Sequence, residues 1–211
     1  MRASIGGLLG IGLTGWISTA VTGDTAILPL LIAPIGASTV LLFAVPASPL
    51  AQPWSIMGGN VTAGVIGVTA AHWIKSPLEA AAIAECLTLA ATSVMRCVHP
   101  PAGAVALTAV LGGPHIAALG YEFALVPVGL NSLVLCAVAL VYNNSTRRSY
   151  PHHAHKPAHP HPPAPEKLLS DAELDDMLED YGEIVDVSRD DLKALFREMV
   201  GRAQRARQGV R

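Results

Sequence analysis

Between Ala3 and Tyr142 this chain carries only six charged side chains, namely Asp24, Lys75, Glu79, Glu85, Arg96 and Glu122. Over all 211 residues the charged share is 14%, against about a quarter in soluble domains. The other 24 of the 30 charges lie at Arg2 or after Asn143. An ordinary soluble fold is therefore excluded for an apolar block of about 140 residues, which a polar tail of about 70 follows. Aromatic residues are scarce too, at 5% of a chain that is 51% hydrophobic. The three cysteines, Cys86, Cys97 and Cys136, show no CxxC spacing and sit in apolar runs. They read as small packing residues, not as a disulfide or metal set. No strongly basic stretch points to nucleic acid. GxSxG, HExxH, P-loop and dinucleotide fingerprints are all missing, so the chain does not read as an enzyme and no cofactor is implied. No small-residue cleavage junction closes the first apolar run, which reads as a first membrane span and not a signal peptide.

What the chain does have is a series of apolar runs. They cover Ile5 to Val21, Ala26 to Val45, Met57 to Trp73, Ala80 to Val98 and Phe123 to Tyr142, with a short one from Ala102 to Leu111. Small residues at spacing four, such as Gly6/Gly10, Gly59/Ala63/Gly67 and Ala80/Ala84, let helices approach closely where lipid offers no hydrophobic drive. The predicted fold is all-α, a polytopic membrane bundle of four to six segments with one or two of them broken by proline. Ala102 to Leu111 is too short to cross about 30 Å at 1.5 Å per residue, so it reads as a half-helix or re-entrant piece. Arg147 and Arg148 follow the last run and Arg2 precedes the first. The positive-inside tendency then puts both ends in the cytoplasm, with an even number of crossings of the inner membrane.

The pattern P-x-G-A occurs at Pro34 to Ala37 and again at Pro101 to Ala104, 67 residues on. That offset carries the first run onto the fourth and the third onto the last. It suggests two copies of a helix, broken helix, helix unit, the second inverted, as in many transporters. The second copy follows "RCVHPP", Arg96 to Pro101. Proline cannot continue a helix but suits its first turn, so a new helix should begin close to Pro101. Its first amides, from Ala102, Gly103 and Ala104, would form an anion-binding end. Arg96 and His99 stand just upstream, with Pro100 completing the motif. Gly36, Ser38 and Thr39 offer a second end of the same kind, or else Ser38 and Thr39 bond back to the preceding turn of a kinked helix. Arg96 has a rival reading as an anchor that snorkels to the interface. Glu85, Asn60 and Asn131 complete a possible polar pathway, although asparagine in a membrane helix is more commonly glue between helices.

After the last span, residues 146–166 read as a linker rich in histidine and proline, extended and solvated. Within residues 167–211, Ser170 to Glu173 is a capping box, and a second, Ser188 to Asp191, opens another amphipathic helix. Two short helices form little core of their own, so they fit a docking role.

His99-Pro100-Pro101-Ala102-Gly103-Ala104 resembles the signature of the HPP family of integral membrane proteins. Ala33-Pro34-Ile35-Gly36-Ala37-Ser38 and the Gly58-Gly59 start of the third run are similar to further blocks of that family. The match spans most of residues 8–142. The resemblance implies a bundle of about four membrane helices. It also implies transport, since some cyanobacterial and plastid members carry nitrite. Many bacterial members place paired CBS domains after the membrane part, and residues 174–200 resemble the segment that precedes them. The chain thus reads as a short form without CBS domains. The combined expectation is a homo-oligomer in the lipid bilayer that moves a small inorganic anion, nitrite first and nitrate second. The rival is a sensor or scaffold whose tail binds a partner.

Overall fold

The structure, a computed structural model, describes residues 1–23, 28–152, 170–181 and 186–208. Asp24, most of the His/Pro linker and the Gly182 helix stop lie outside the described residues. The chain forms two compact units, Met1–His152 and His153–Arg211. The first extends past the expected boundary at 145 because Tyr150 is buried and its hydroxyl donates to Ala51 O at 2.9 Å.

Every regular element among the described residues of the first unit is a helix, as the all-α reading expects. Its elements are α1 (Arg2–Thr22), α2 (Leu28–Ala44), a single 3₁₀ turn at Pro49–Ala51, α3 (Pro53–Trp73), α4 (Pro77–Val94), α5 (Pro101–Leu111), α6 (Pro114–Leu119) and α7 (Leu130–Ser145). Four consecutive helices, α3 to α6, open with proline at the first turn. There the missing N–H costs nothing and the fixed φ already suits the helix. Pro34 behaves otherwise. The expectation of a break in the second run is corrected, because α2 runs through Pro34 as one helix. Neighbouring groups can take over the bond a proline removes when a helix is packed among others. Pro127 is accommodated by a widened π-type turn, Ala124–Gly129, which leads straight into α7; such turns absorb a residue that cannot join the regular ladder.

Three of the described helical stretches, Arg2–Val21, Pro77–Val94 and Ala124–Ser145, are long and apolar enough to cross a membrane. Ala33–Ala44 and Pro101–Leu111 are apolar but shorter. α3 is as long as α1, but Asn60, Thr62, Thr69 and His72 lower its hydropathy.

Hydrogen bonds between helix ends show which ends share a face. Tyr142 donates to Arg2 O at 2.8 Å, Arg148 Nη1 to Ala44 O at 3.2 Å and Trp54 Nε1 to Met95 O at 3.1 Å. One face therefore holds the start of α1, the end of α2, the start of α3, the ends of α4 and α7, and the arginines Arg2, Arg96, Arg147 and Arg148. α1, α2 and α3 run in the opposite sense to α4, α5 and α7 respectively. Their packing repeats as well, with α1 on α2 as α4 on α5, and α3 on α4 as α7 on α1. Buried hydroxyls four residues apart recur on the matching helices, Thr14 and Ser18 on α1 and Thr88 and Thr92 on α4. This is the inverted arrangement that the P-x-G-A offset suggests.

Small residues let the halves close. A Cβ on Gly59 would stand 2.9 Å from Cys97 O, and one on Gly67 would stand 2.6 Å from Ala106 O. α3 thus lies along α5 at backbone distance, and the row Gly59, Ala63, Gly67 is that seam.

The second unit contains α8 (Asp171–Tyr181) and α9 (Arg189–Gln208). Both expected caps form. Glu173 N bonds Ser170 Oγ at 3.2 Å and Ser170 N bonds Glu173 Oε2 at 2.7 Å; Asp191 N bonds Ser188 Oγ at 3.1 Å. Ion pairs Arg189–Asp175, at 2.8 Å, and Lys193–Asp171 join the two helices.

Candidate binding cavity and the histidine junction

α4 ends at Val94 and is capped by Met95 in a Schellman turn, with Cys97 N on Thr92 O at 2.8 Å and Arg96 N on Ser93 O at 3.1 Å. Arg96 occupies the left-handed position of that turn, φ 53°, where glycine is usual. Its side chain is exposed on the arginine-rich face. Arg96 is therefore not brought to the proline junction, and of its two expected roles the geometry fits the interfacial anchor.

His99 lies deeper. It is 2% exposed, and its Cβ side faces Gly59, about 9 Å along α3 from Pro53 at 1.5 Å per residue. His99 Nδ1 lies 2.8 Å from Leu50 O, and Nε2 lies 2.7 Å from Ser38 Oγ. A carbonyl only accepts, so Nδ1 carries hydrogen. Nε2 then faces the Ser38 hydroxyl, which also lies 3.1 Å from Pro34 O. The second proline motif is thereby tied to the first. Thr39 is committed locally, its hydroxyl donating to Ile35 O at 2.8 Å, and a Cβ on Gly36 would meet nothing within 4 Å.

The amides of the α5 start are less available than the sequence suggests. Ala102 N bonds His99 O at 2.8 Å and Gly103 N bonds Pro100 O at 3.2 Å. Pro100 is exposed, Pro101 and Ala102 are buried, and Gly103 and Ala104 are partly covered. Beside Gly103 lies the Glu85 carboxylate of α4, with Oε2 2.8 Å from where a Cβ would stand. The expected free anion-binding end is thus closed by backbone carbonyls and flanked by a carboxylate of the same chain.

The polar groups that do converge lie midway along the helices. Asn60 of α3 donates Nδ2 to Ser132 Oγ at 2.9 Å. Asn131, beside Ser132 at the start of α7, accepts from the Ser18 hydroxyl through Oδ1. All four side chains are buried. Asn60 Oδ1 and Asn131 Nδ2 have no partner among the described residues. Both asparagines line a cavity of about 20 Å³ between α2, α3, α5 and α7, together with Pro34, Thr108 and Ser132. That exceeds the roughly 10–15 Å³ one water needs. Thr108 keeps its own hydroxyl on Ala104 O at 2.7 Å. The cavity sits where the two inverted triplets meet, the place at which repeat-built transporters hold substrate. Ser18 and Ser132 are polar-cluster residues that the sequence did not single out. The only local signal for them was a hydroxyl in an apolar run, one shared by many other residues.

No group of three or more histidine, cysteine, aspartate or glutamate side chains that could hold a metal ion occurs among the described residues.

The model of the HPP transmembrane region matches residues 1–151. The chain belongs to the HPP transmembrane family. Its membrane unit, Met1–His152, coincides with that match. Two transmembrane proteins of Dictyostelium discoideum are similar to it, at 37% and 33% identity over 126 residues, which is 57% of this chain in each case. The chain spans 44% and 40% of the length of these relatives. No solved structure matches. For this HPP protein the membrane assignment therefore rests on family, composition and helix length together.

Proposed function

We propose that this HPP protein carries a small inorganic oxyanion across the membrane, nitrite first among candidates. The observation that carries the reading is the buried amide and hydroxyl cavity at the meeting of the inverted triplets. Purely structural interhelical glue would leave its amides paired; here two buried amides each keep one atom without a partner among the described residues, and both side chains line a cavity with room for about one water. The nitrite choice rests on the resemblance to nitrite-carrying members of the family.

Four arginines on one face support a cytoplasmic placement of that face and of the tail, in an inner membrane. Glu85 is exposed midway along α4. A carboxylate facing acyl chains is costly, which supports a homo-oligomer in which α4 is covered by another copy. A second reading, a scaffold, draws on Leu195 and Met199, exposed along α9 at 58% and 68%.

The test is nitrite and nitrate uptake into proteoliposomes containing the purified full chain. Uptake above protein-free vesicles is expected. Absence of any protein-dependent flux of either ion rejects transport and leaves the scaffold.

A further inference from the structure

The cavity lining combines polarity with a lack of charge. Asn60 is 4% and Asn131 1% exposed, and none of the residues lining the cavity is ionisable. The titratable groups on the surrounding helices are placed elsewhere. Arg2 and Arg96 belong to the arginine face, while His72 and Glu79 are exposed toward the opposite one. Glu85 lies against Gly103, and His99 is held between Leu50 and Ser38. Cys136 packs in the cluster around Tyr150. A bare anion entering this space would shed water and meet no cation, a cost that two amide dipoles do not offset.

The unpaired atoms state what would fit instead. Asn131 Nδ2 is a donor that needs an acceptor, and Asn60 Oδ1 is an acceptor that needs a donor. A small neutral molecule carrying one O–H and one acceptor oxygen satisfies both. The conjugate acid of a weak oxyanion is such a molecule. Each amide is held by a hydroxyl, Ser132 or Ser18, able to donate or accept. Turning both amides over reverses the order of donor and acceptor, so the pair reads the cargo in either orientation. Turning only Asn60 presents two donors and turning only Asn131 presents two acceptors, in neither case a charge.

We infer that the cargo crosses as its neutral conjugate acid, held in the central cavity between Asn60 and Asn131. This rests on the transport reading and adds its stoichiometry. The anion takes one proton from water on the entry side and returns it on the exit side, so one proton accompanies each anion and no net charge moves.

The experiment measures sodium nitrite uptake into proteoliposomes of the full chain, with a pH dye inside, a voltage-sensitive dye and protein-free vesicles as control. The expected result is uptake with lumenal acidification, no voltage signal and no response to an imposed membrane potential. The protein-dependent rate should rise about tenfold for each unit fall in external pH, as the competent fraction of the cargo does. Uptake that generates or follows a voltage overturns the neutral-acid inference while leaving transport standing. No protein-dependent uptake overturns transport itself. Asn60→Leu and Asn131→Leu, checked for an unchanged melting profile, should each lower the flux more than tenfold. Where a leucine variant does not fold, the alanine variant of that position is read in its place. Unchanged flux in folded variants of both positions means the amides hold a resident water only and removes the site.

Discussion

His99 Nε2 stands 2.7 Å from Ser38 Oγ, joining residues 61 positions apart. With Nδ1 on Leu50 O, the ring ties α2, the turn before α3 and the start of α5 together near the arginine face. This histidine is therefore a junction between the two repeats, with the asparagine-lined cavity beyond it.

Replacing that ring tests the junction. His99→Ala leaves the Leu50 carbonyl without its donor and the Ser38 hydroxyl with Pro34 O alone, at about 1–3 kcal/mol. The detergent-solubilised protein should melt lower, by roughly 2–4 °C per kcal/mol lost. A melting temperature unchanged by His99→Ala would mean the ring ties nothing.

Two glycines should respond in opposite directions to the same methyl group. Gly67→Ala forces a Cβ to 2.6 Å from Ala106 O and from Ala109 Cβ, an overpacking of about 1–3 kcal/mol. Gly36→Ala meets nothing within 4 Å inside a helix, and gains about 0.5–1 kcal/mol. Thermal melts of both variants read the contrast, and nitrite flux through Gly36→Ala should match the parent.

Arg96 holds a conformation that suits glycine. Arg96→Gly should stabilise the turn by about 1 kcal/mol and leave nitrite flux within a factor of two, since the side chain is exposed away from the cavity. A flux that collapses in Arg96→Gly but survives in Arg96→Lys would return this charge to the pathway.

In the tail, the Ser170 backbone N–H and hydroxyl hold Glu173 below the usual carboxylate range. A lowered folded pKa means that the carboxylate stabilises the start of α8 above its unfolded pKa. That contribution fades as pH falls through the folded value. The protection of the first-turn amides of α8, measured against an unstructured chain at the same pH, should therefore fall on acidification in the parent. In Ser170→Ala that protection should be low already at neutral pH, with its acid dependence gone.

Local chemistry made much of this protein readable. Scarce charge and apolar runs dictate membrane helices, Pro101 marks a helix start, and Ser170 and Ser188 cap the two tail helices. Each of these signals acts within about one helical turn, and the structure reproduces them. The P-x-G-A offset reached further and named the inverted triplets. Pro34 and the motif amides were misjudged because a proline's effect depends on what surrounds it. Neighbouring helices carry α2 through Pro34, while the carbonyls of His99 and Pro100 take the amides expected to be open. Only the tertiary structure placed Arg96 on the arginine face and Glu85 against Gly103. The meeting of Asn60 with Ser132 and of Ser18 with Asn131 spans 72 and 113 positions. No local pattern encodes such separations. They are set by which helix faces close on one another, and that closure depends on glycines whose missing side chains let two backbones touch.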